Sequence, residues 1–144
     1  MNSKVQNIQL KYHSKPKSAE YPESALTEKI IGAFYKVYNT LGYGFLEKVY
    51  ENAMMIELHK MNMLAIQQKE ITVHYEGIPV GKYYADIIVA DSVIIELKAA
   101  EALREDDKYQ LINYLRATNT RLGLLLNFGK KPELRRCINE NSAN

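Results

Sequence analysis

One cysteine, Cys137, is all the thiol the chain has. That excludes an internal disulfide and agrees with a reducing compartment. No obvious base stands beside Cys137, so it is read as inert. Histidine is scarce as well. His13, His59 and His74 have no ligand spacing to one another, and none is given a role. No apolar run is long enough to span a membrane, and the opening residues MNSKVQNIQLKYHSKPK lack a signal-peptide core. The cytoplasm is therefore the default compartment, and no membrane partner is expected. Repeats and low-complexity blocks are absent too.

Charge of one sign is also weak. The formal net charge is +2, too little on its own to argue for a polyanionic partner. The cations are nevertheless grouped. Lys4, Lys11, Lys15 and Lys17 precede the first acid at Glu20, and Lys130, Lys131, Arg135 and Arg136 form a second cluster. Both groups suit a phosphate backbone, and both equally suit the solubilising ends of a small domain. The 11 tyrosines have faces for stacking on bases. They read first as amphipathic residues at the edge of a core.

At 144 residues the chain is sized for one domain. Residues 1–23 contain Pro16 and Pro22 and lack periodicity, so they read as a flexible basic arm. Residues 24–144 read as the domain. Leu26, Ile30, Phe34, Val37 and Leu41 recur at helical spacing after a capping Ser24, and Gly42 and Gly44 end that helix. Leu46, Val49, Ala53, Ile56 and Met61 suggest the core stripe of a second helix. Its charged residues Glu51 and Glu57 are taken as solvated. Ile71, Val73 and Tyr75 alternate with polar residues as in a half-exposed strand, and Gly77, Pro79 and Gly81 mark a turn. Two Ile/Val-rich strands follow, then an acid-started helix in REDDKYQLINYLRAT and a buried strand in RLGLLLNFG. The last strand follows the third by way of a helix, which predicts a parallel pair. The fold class is α/β with a small mixed sheet.

The two Ile/Val-rich strands, YYADIIVADSVIIELKAA, carry Asp86, Glu96 and Lys98. Charges inside buried strands are costly unless paired or metal-bound. Alternation places Ala85, Ile87 and Val89 with Val93, Ile95 and Leu97 on one apolar face. A three-residue turn at Ala90–Ser92 pairs Ile88 with Ile94 and sets Asp86 opposite Glu96, with Cβ atoms about 4.5–5.5 Å apart. Two carboxylates that close repel and raise a pKa. A divalent cation relieves the repulsion, and carboxylate oxygens suit Mg²⁺. Two readings stand at this point, a metal site and an exposed ion cluster worth little.

Taken together, Asp86 followed by Glu96-Leu97-Lys98 resembles the metal site of the PD-(D/E)XK nuclease superfamily. The order helix, three strands, helix, strand resembles its restriction-endonuclease-like core, here with an extra N-terminal helix. GFLEKVY, Gly44 to Tyr50, is similar to the signature that names the GxxExxY family within it. The blocks YNTLGYGFLEKVYENAMMIEL, ADIIVADSVIIELKA and QLINYLRATNTRLGLLLNFG fit that family in order.

The resemblance implies a Mg²⁺-dependent nuclease, with Mn²⁺ as substitute, acting on phosphodiester bonds in DNA or alternatively RNA. It implies Asp86, Glu96 and the Leu97 carbonyl as metal ligands, with Glu47 completing the shell, and Lys98 as the catalytic lysine. Gln110 and Tyr114, on one helix face at i, i+4, and Tyr50 are implied to order the site or touch nucleic acid. Ala85 replaces the proline of the superfamily name and removes no ligand. Histidines that often stand near Tyr38 and Asp107 in the family are absent. A homodimer is compatible with such a nuclease. The alternative to an enzyme is a nuclease-fold module that binds nucleic acid or a protein partner without cutting.

Overall fold

A computed structural model describes residues 24–141. The expected arm at 1–23 lies outside the described residues. Leu26, Ile30, Ala33, Phe34 and Val37 are buried along α1 (Ser24–Leu41), as their helical spacing predicts. Gly42 (φ 71°) and Gly44 (φ 113°) then turn the chain through backbone conformations that favour glycine, and α2 (Glu47–Lys60) begins.

On α2 the expected core stripe is corrected. Leu46 is 80% exposed and Ile56 60%, while Ala53 and Met61 pack only partly against the core. The buried residues are Tyr50, Glu51, Met54, Met55 and Leu58. Both sets have helical spacing, and the helix is apolar on two sides. Which side turns inward is decided by what Tyr50 meets. Its ring stacks on Phe128, centroids 4.2 Å apart, and its hydroxyl donates to the Gly42 carbonyl at 2.6 Å.

Five strands form one sheet in sequence order: β1 (Ala65–Tyr75), β2 (Ile78–Val89), β3 (Val93–Lys98), β4 (Leu122–Phe128) and β5 (Pro132–Ile138). β1, β2 and β3 are antiparallel neighbours. β3 and β4 run parallel, joined through α3 (Glu105–Thr118). β5 adds an antiparallel edge that the reading of the sequence missed. It carries Arg135 and Arg136, whose charges hide its strand character. The β1–β2 turn is tighter than expected. It needs only Glu76 (φ 51°) and Gly77 (φ 79°), a positive-φ pair whose twist matches a hairpin. Pro79 and Gly81 lie inside β2, and a register shift next to His74 accommodates the proline.

The sheet is covered on both faces. α1 and α2 pack on Ile87, Val89, Val93, Ile95, Leu97, Leu122, Leu124, Leu126 and Phe128. Leu111, Tyr114 and Leu115 of α3 pack on Ile71, Ala85, Ile88, Ile94 and Leu125. Ala85 thus leaves the face expected for it. The β1–β2 ladder is interrupted between Gln67↔Ile87 and Lys69↔Ala85, where Gln68 holds φ 53°, and strict alternation does not carry through that interruption.

A buried polar clamp fixes the connection from β3 to α3. Asn127 accepts from the Ala100 N–H (2.9 Å) and donates to the Ala100 carbonyl (2.9 Å) and to Glu133 Oε1 (3.0 Å). Glu133 Oε1 also accepts from the Leu103 N–H at 3.0 Å. Gly129 closes over this loop, because a Cβ there would collide with the Ala100 carbonyl oxygen. Replacing Asn127 with Ala strands these groups, at about 1–3 kcal/mol for each one left unsatisfied. Urea unfolding of Asn127→Ala is expected to show a loss of at least about 2 kcal/mol. A midpoint equal to wild type would contradict the clamp.

Candidate active site

The site forms where the β2–β3 ladder stops. Backbone pairing runs through Val89↔Val93, Ile88↔Ile94 and Ile87↔Ile95, the register expected from a turn at Ala90–Ser92. In the next position the side chains take over. The Asp86 N–H donates to Glu96 Oε2 at 3.0 Å, and the Leu97 N–H donates to Asp86 Oδ2 at 2.8 Å. Each carboxylate is held by a backbone N–H of the opposite strand, so the two converge and cannot swing apart independently.

Their electrostatics follow from that geometry. Burial pushes the Glu96 carboxyl up to about 8, and the neighbouring Asp86 charge adds to the rise. Burial also raises Asp86 above the ordinary carboxylate range. The Leu97 N–H opposes the rise, and the charges of Glu51 and Glu47 reinforce it. Lys98, the next charged residue on the strand, works against the rise at Glu96. Its Nζ lies 3.7 Å from Asp107 Oδ1, and the lysine side chain is 25% exposed. Lys98 is therefore held at the site's edge rather than lost in solvent. Asp107 is itself fixed, since its Oδ2 accepts the Arg104 N–H at the start of α3 (3.0 Å).

Glu47 stands exposed in the first turn of α2, near enough for its charge to act on both strand acids. Gln110 and Tyr114 meet as their spacing requires, Gln110 Nε2 donating to the tyrosine hydroxyl at 3.0 Å. The phenol pKa is raised by burial and then by the Glu96 charge, so this pair borders the carboxylates. Tyr50 does not face them. It is fully buried and has no surface for nucleic acid. It orders the Gly42–Phe45 turn from which α2 and Glu47 start, accepting the Phe45 N–H at 3.2 Å.

Two participants were not legible as such. Glu51, expected to be solvated, is 4% exposed. It accepts from Lys48 Nζ (3.1 Å), Gln67 Nε2 (2.7 Å) and Gln68 Nε2 (3.1 Å). Gln68 is the second. The same amide reaches Asp86 Oδ1 at 3.3 Å, so it bridges the helical acid to the strand acid from a backbone in the left-handed region. The i, i+4 relation of Glu47 and Glu51 was the available signal for Glu51. Gln68 carried none. Glu57 is only partly solvated, paired with Lys36 and Lys60 at 3.1 and 3.2 Å.

The donor set suits a hard cation. It offers carboxylate oxygens whose charged forms are disfavoured by burial and by each other, and such a pair gains from a doubly charged ion. Among the described residues no three His, Cys, Asp or Glu side chains form a ready-made metal cluster. The fit thus rests on two strand carboxylates that converge, with Glu47 nearby.

Residues 24–137 match the sequence profile of the PD-(D/E)XK nuclease superfamily. Among solved structures, the crystal structure of SSO0001 superposes with a TM-score of 0.52 at 18% identity, covering 93% of this chain and 75% of that one. That likeness supports the fold. No curated protein matches the sequence.

A raised carboxyl pKa makes a signed claim about stability. Glu96 ordinarily titrates at 4.5 and here at about 8. Its contribution is fully present below about pH 4.5 and is lost as pH rises through about 8. Glu96→Gln keeps an acceptor for the Asp86 N–H and cannot ionise. The variant's melting temperature, relative to wild type, is expected to climb steadily between pH 5 and pH 8. A difference that stays flat across that window would mean Glu96 is not desolvated.

Proposed function

Because the chain belongs to the PD-(D/E)XK nuclease superfamily, we propose that it is a divalent-metal-dependent nuclease hydrolysing phosphodiester bonds in DNA. Within the superfamily, Gly44, Glu47 and Tyr50 of GFLEKVY support assignment to the GxxExxY family. One observation carries the catalytic reading. Asp86 and Glu96 are locked together by crossed backbone hydrogen bonds, with Lys98 two residues beyond Glu96 and held by Asp107.

In this reading Asp86, Glu96 and the Leu97 carbonyl hold Mg²⁺, or Mn²⁺ in its place, and Glu47 completes the shell. When bound, the cation supplies Lewis-acid charge to the scissile phosphate and lowers the pKa of an attacking water. Lys98 stabilises the negative charge that develops on the phosphate oxygens in the transition state. Gln110 and Tyr114 wall the site on the α3 side. Glu96, protonated more readily than an ordinary glutamate, must release its proton when it takes up a cation.

The superfamily supports nucleic acid as the substrate. DNA rather than RNA, and a homodimer able to cut two strands, belong to the proposal alone. So does a cytoplasmic location, which the single unpaired cysteine favours. Among the described residues no helix is long and apolar enough to cross a membrane.

Plasmid and single-stranded DNA incubated with Mg²⁺ or Mn²⁺ test the claim. Asp86→Asn and Lys98→Ala are each expected to lower the cleavage rate at least roughly 100-fold. Equal cleavage by all three proteins would assign the activity to a contaminant. Titration calorimetry with Mn²⁺ is expected to give heat with wild type and none with Asp86→Asn. Mn²⁺ binding without cleavage would favour the alternative of a binding module that retains the metal site.

A further inference from the structure

The nuclease reading leaves open what form of nucleic acid enters the site, and the β1–β2 hairpin bears on that question. β3 pairs with β2 only at Ile87–Val89. Residues 69–84 of the hairpin therefore run past the site as a two-stranded ribbon, Lys69 pairing with Ala85 and Ile71 with Tyr83. Alternation places Lys69, Ile71 and Val73 on one face of this ribbon, with their partners Ala85, Tyr83 and Gly81. Ile71 and Ala85 are buried with Leu111, Tyr114 and Leu115. This is the α3 face, where Tyr114 feels the charges of Glu96 and Asp86.

On that face Tyr83 is 47% exposed, and its ring centroid lies 5.5 Å from that of Tyr114. Tyr114 is buried and held by Gln110. Tyr83 is therefore braced on one side and open on the other. It precedes Asp86 by three residues, about 10 Å along an extended strand. An exposed tyrosine is common at the rim of a core, and Tyr84 is one such, opposite Glu70 on the other ribbon face. Tyr83 differs in resting on Tyr114, a buried and hydrogen-bonded support that itself borders the carboxylate pair.

We propose that Tyr83 is a stacking platform for an unpaired base next to the phosphate to be cut, so that the substrate class is single-stranded DNA. Bases in a duplex have both faces covered by their neighbours. Only an unpaired base offers a face to a tyrosine, and such stacking tolerates any sequence. Exposed Lys69, on the same ribbon face, supplies positive charge for the adjoining phosphate. The cut itself rests on the nuclease reading above, whereas the stacking contact does not.

Binding separates the two. Fluorescence anisotropy of a labelled 12-nucleotide single strand and its duplex, in EDTA at low salt, is read for wild type, Tyr83→Phe, Tyr83→Leu and Asp86→Asn. Wild type and Tyr83→Phe are expected to bind the single strand at least roughly fivefold tighter than duplex. Tyr83→Leu is expected to lose roughly tenfold on the single strand and less than twofold on duplex. A single strand carrying 5-iododeoxyuridine, irradiated with wild type, is expected to cross-link to Tyr83. That last readout needs no folded variant. Preference for duplex, equal losses on both forms with Tyr83→Leu, or cross-links only at other residues would overturn the platform. Cleavage unaffected by Asp86→Asn would instead sink the nuclease reading while leaving the binding result to stand or fall separately.

Discussion

Two side chains take over the work of a β-ladder at the point where it ends. Past Ile87 and Ile95 the strands no longer pair through their backbones, and Asp86 and Glu96 each accept an N–H from the opposite strand. This exchange satisfies partly buried donors that the ladder no longer pairs. It also sets two carboxylates against each other in a poorly solvated place. Structure and electrostatics are thus joined in the same pair of hydrogen bonds. The hairpin is closed by acids whose charged forms are disfavoured there, and that tension suits them to receive a cation.

The rest of the chain holds this junction still. β3 is flanked on both sides, antiparallel to β2 and parallel to β4. Helices cover both faces through separate apolar clusters. The Asn127–Glu133 clamp ties down the loop that leaves β3, so Lys98 and Asp107 keep their relation across the start of α3. Tyr50, stacked on Phe128, sets the turn from which Glu47 begins. The acids are positioned by strands and helices throughout. Such support is what keeps a constellation of like charges from relaxing apart.

Where local pattern and structure part, the cause is specific. On α2, Leu46/Val49/Ile56 and Tyr50/Met54/Leu58 are both apolar rows at helical spacing. Only the position of Phe128 across the core chooses between them. Glu51 looked solvated because a glutamate on a helix usually is. Its burial depends on Gln67 and Gln68, which arrive from a strand sixteen and seventeen residues away. β5 hid behind its arginines, because an edge strand keeps charged residues that a central strand would not.

The sequence by itself determined the element order as far as β4, the turn at Ala90–Ser92 and therefore the meeting of Asp86 with Glu96. These follow from local periodicity, since a side-chain period of two sets the faces outward from the turn until alternation breaks between Ile87 and Ala85. Tertiary structure alone decided the rest. It chose which row of α2 turns inward, buried Glu51, bent Gln68 into the left-handed region and braced Tyr83 on Tyr114. Each of these depends on a partner far along the chain, and no local pattern records which distant surface a residue will meet.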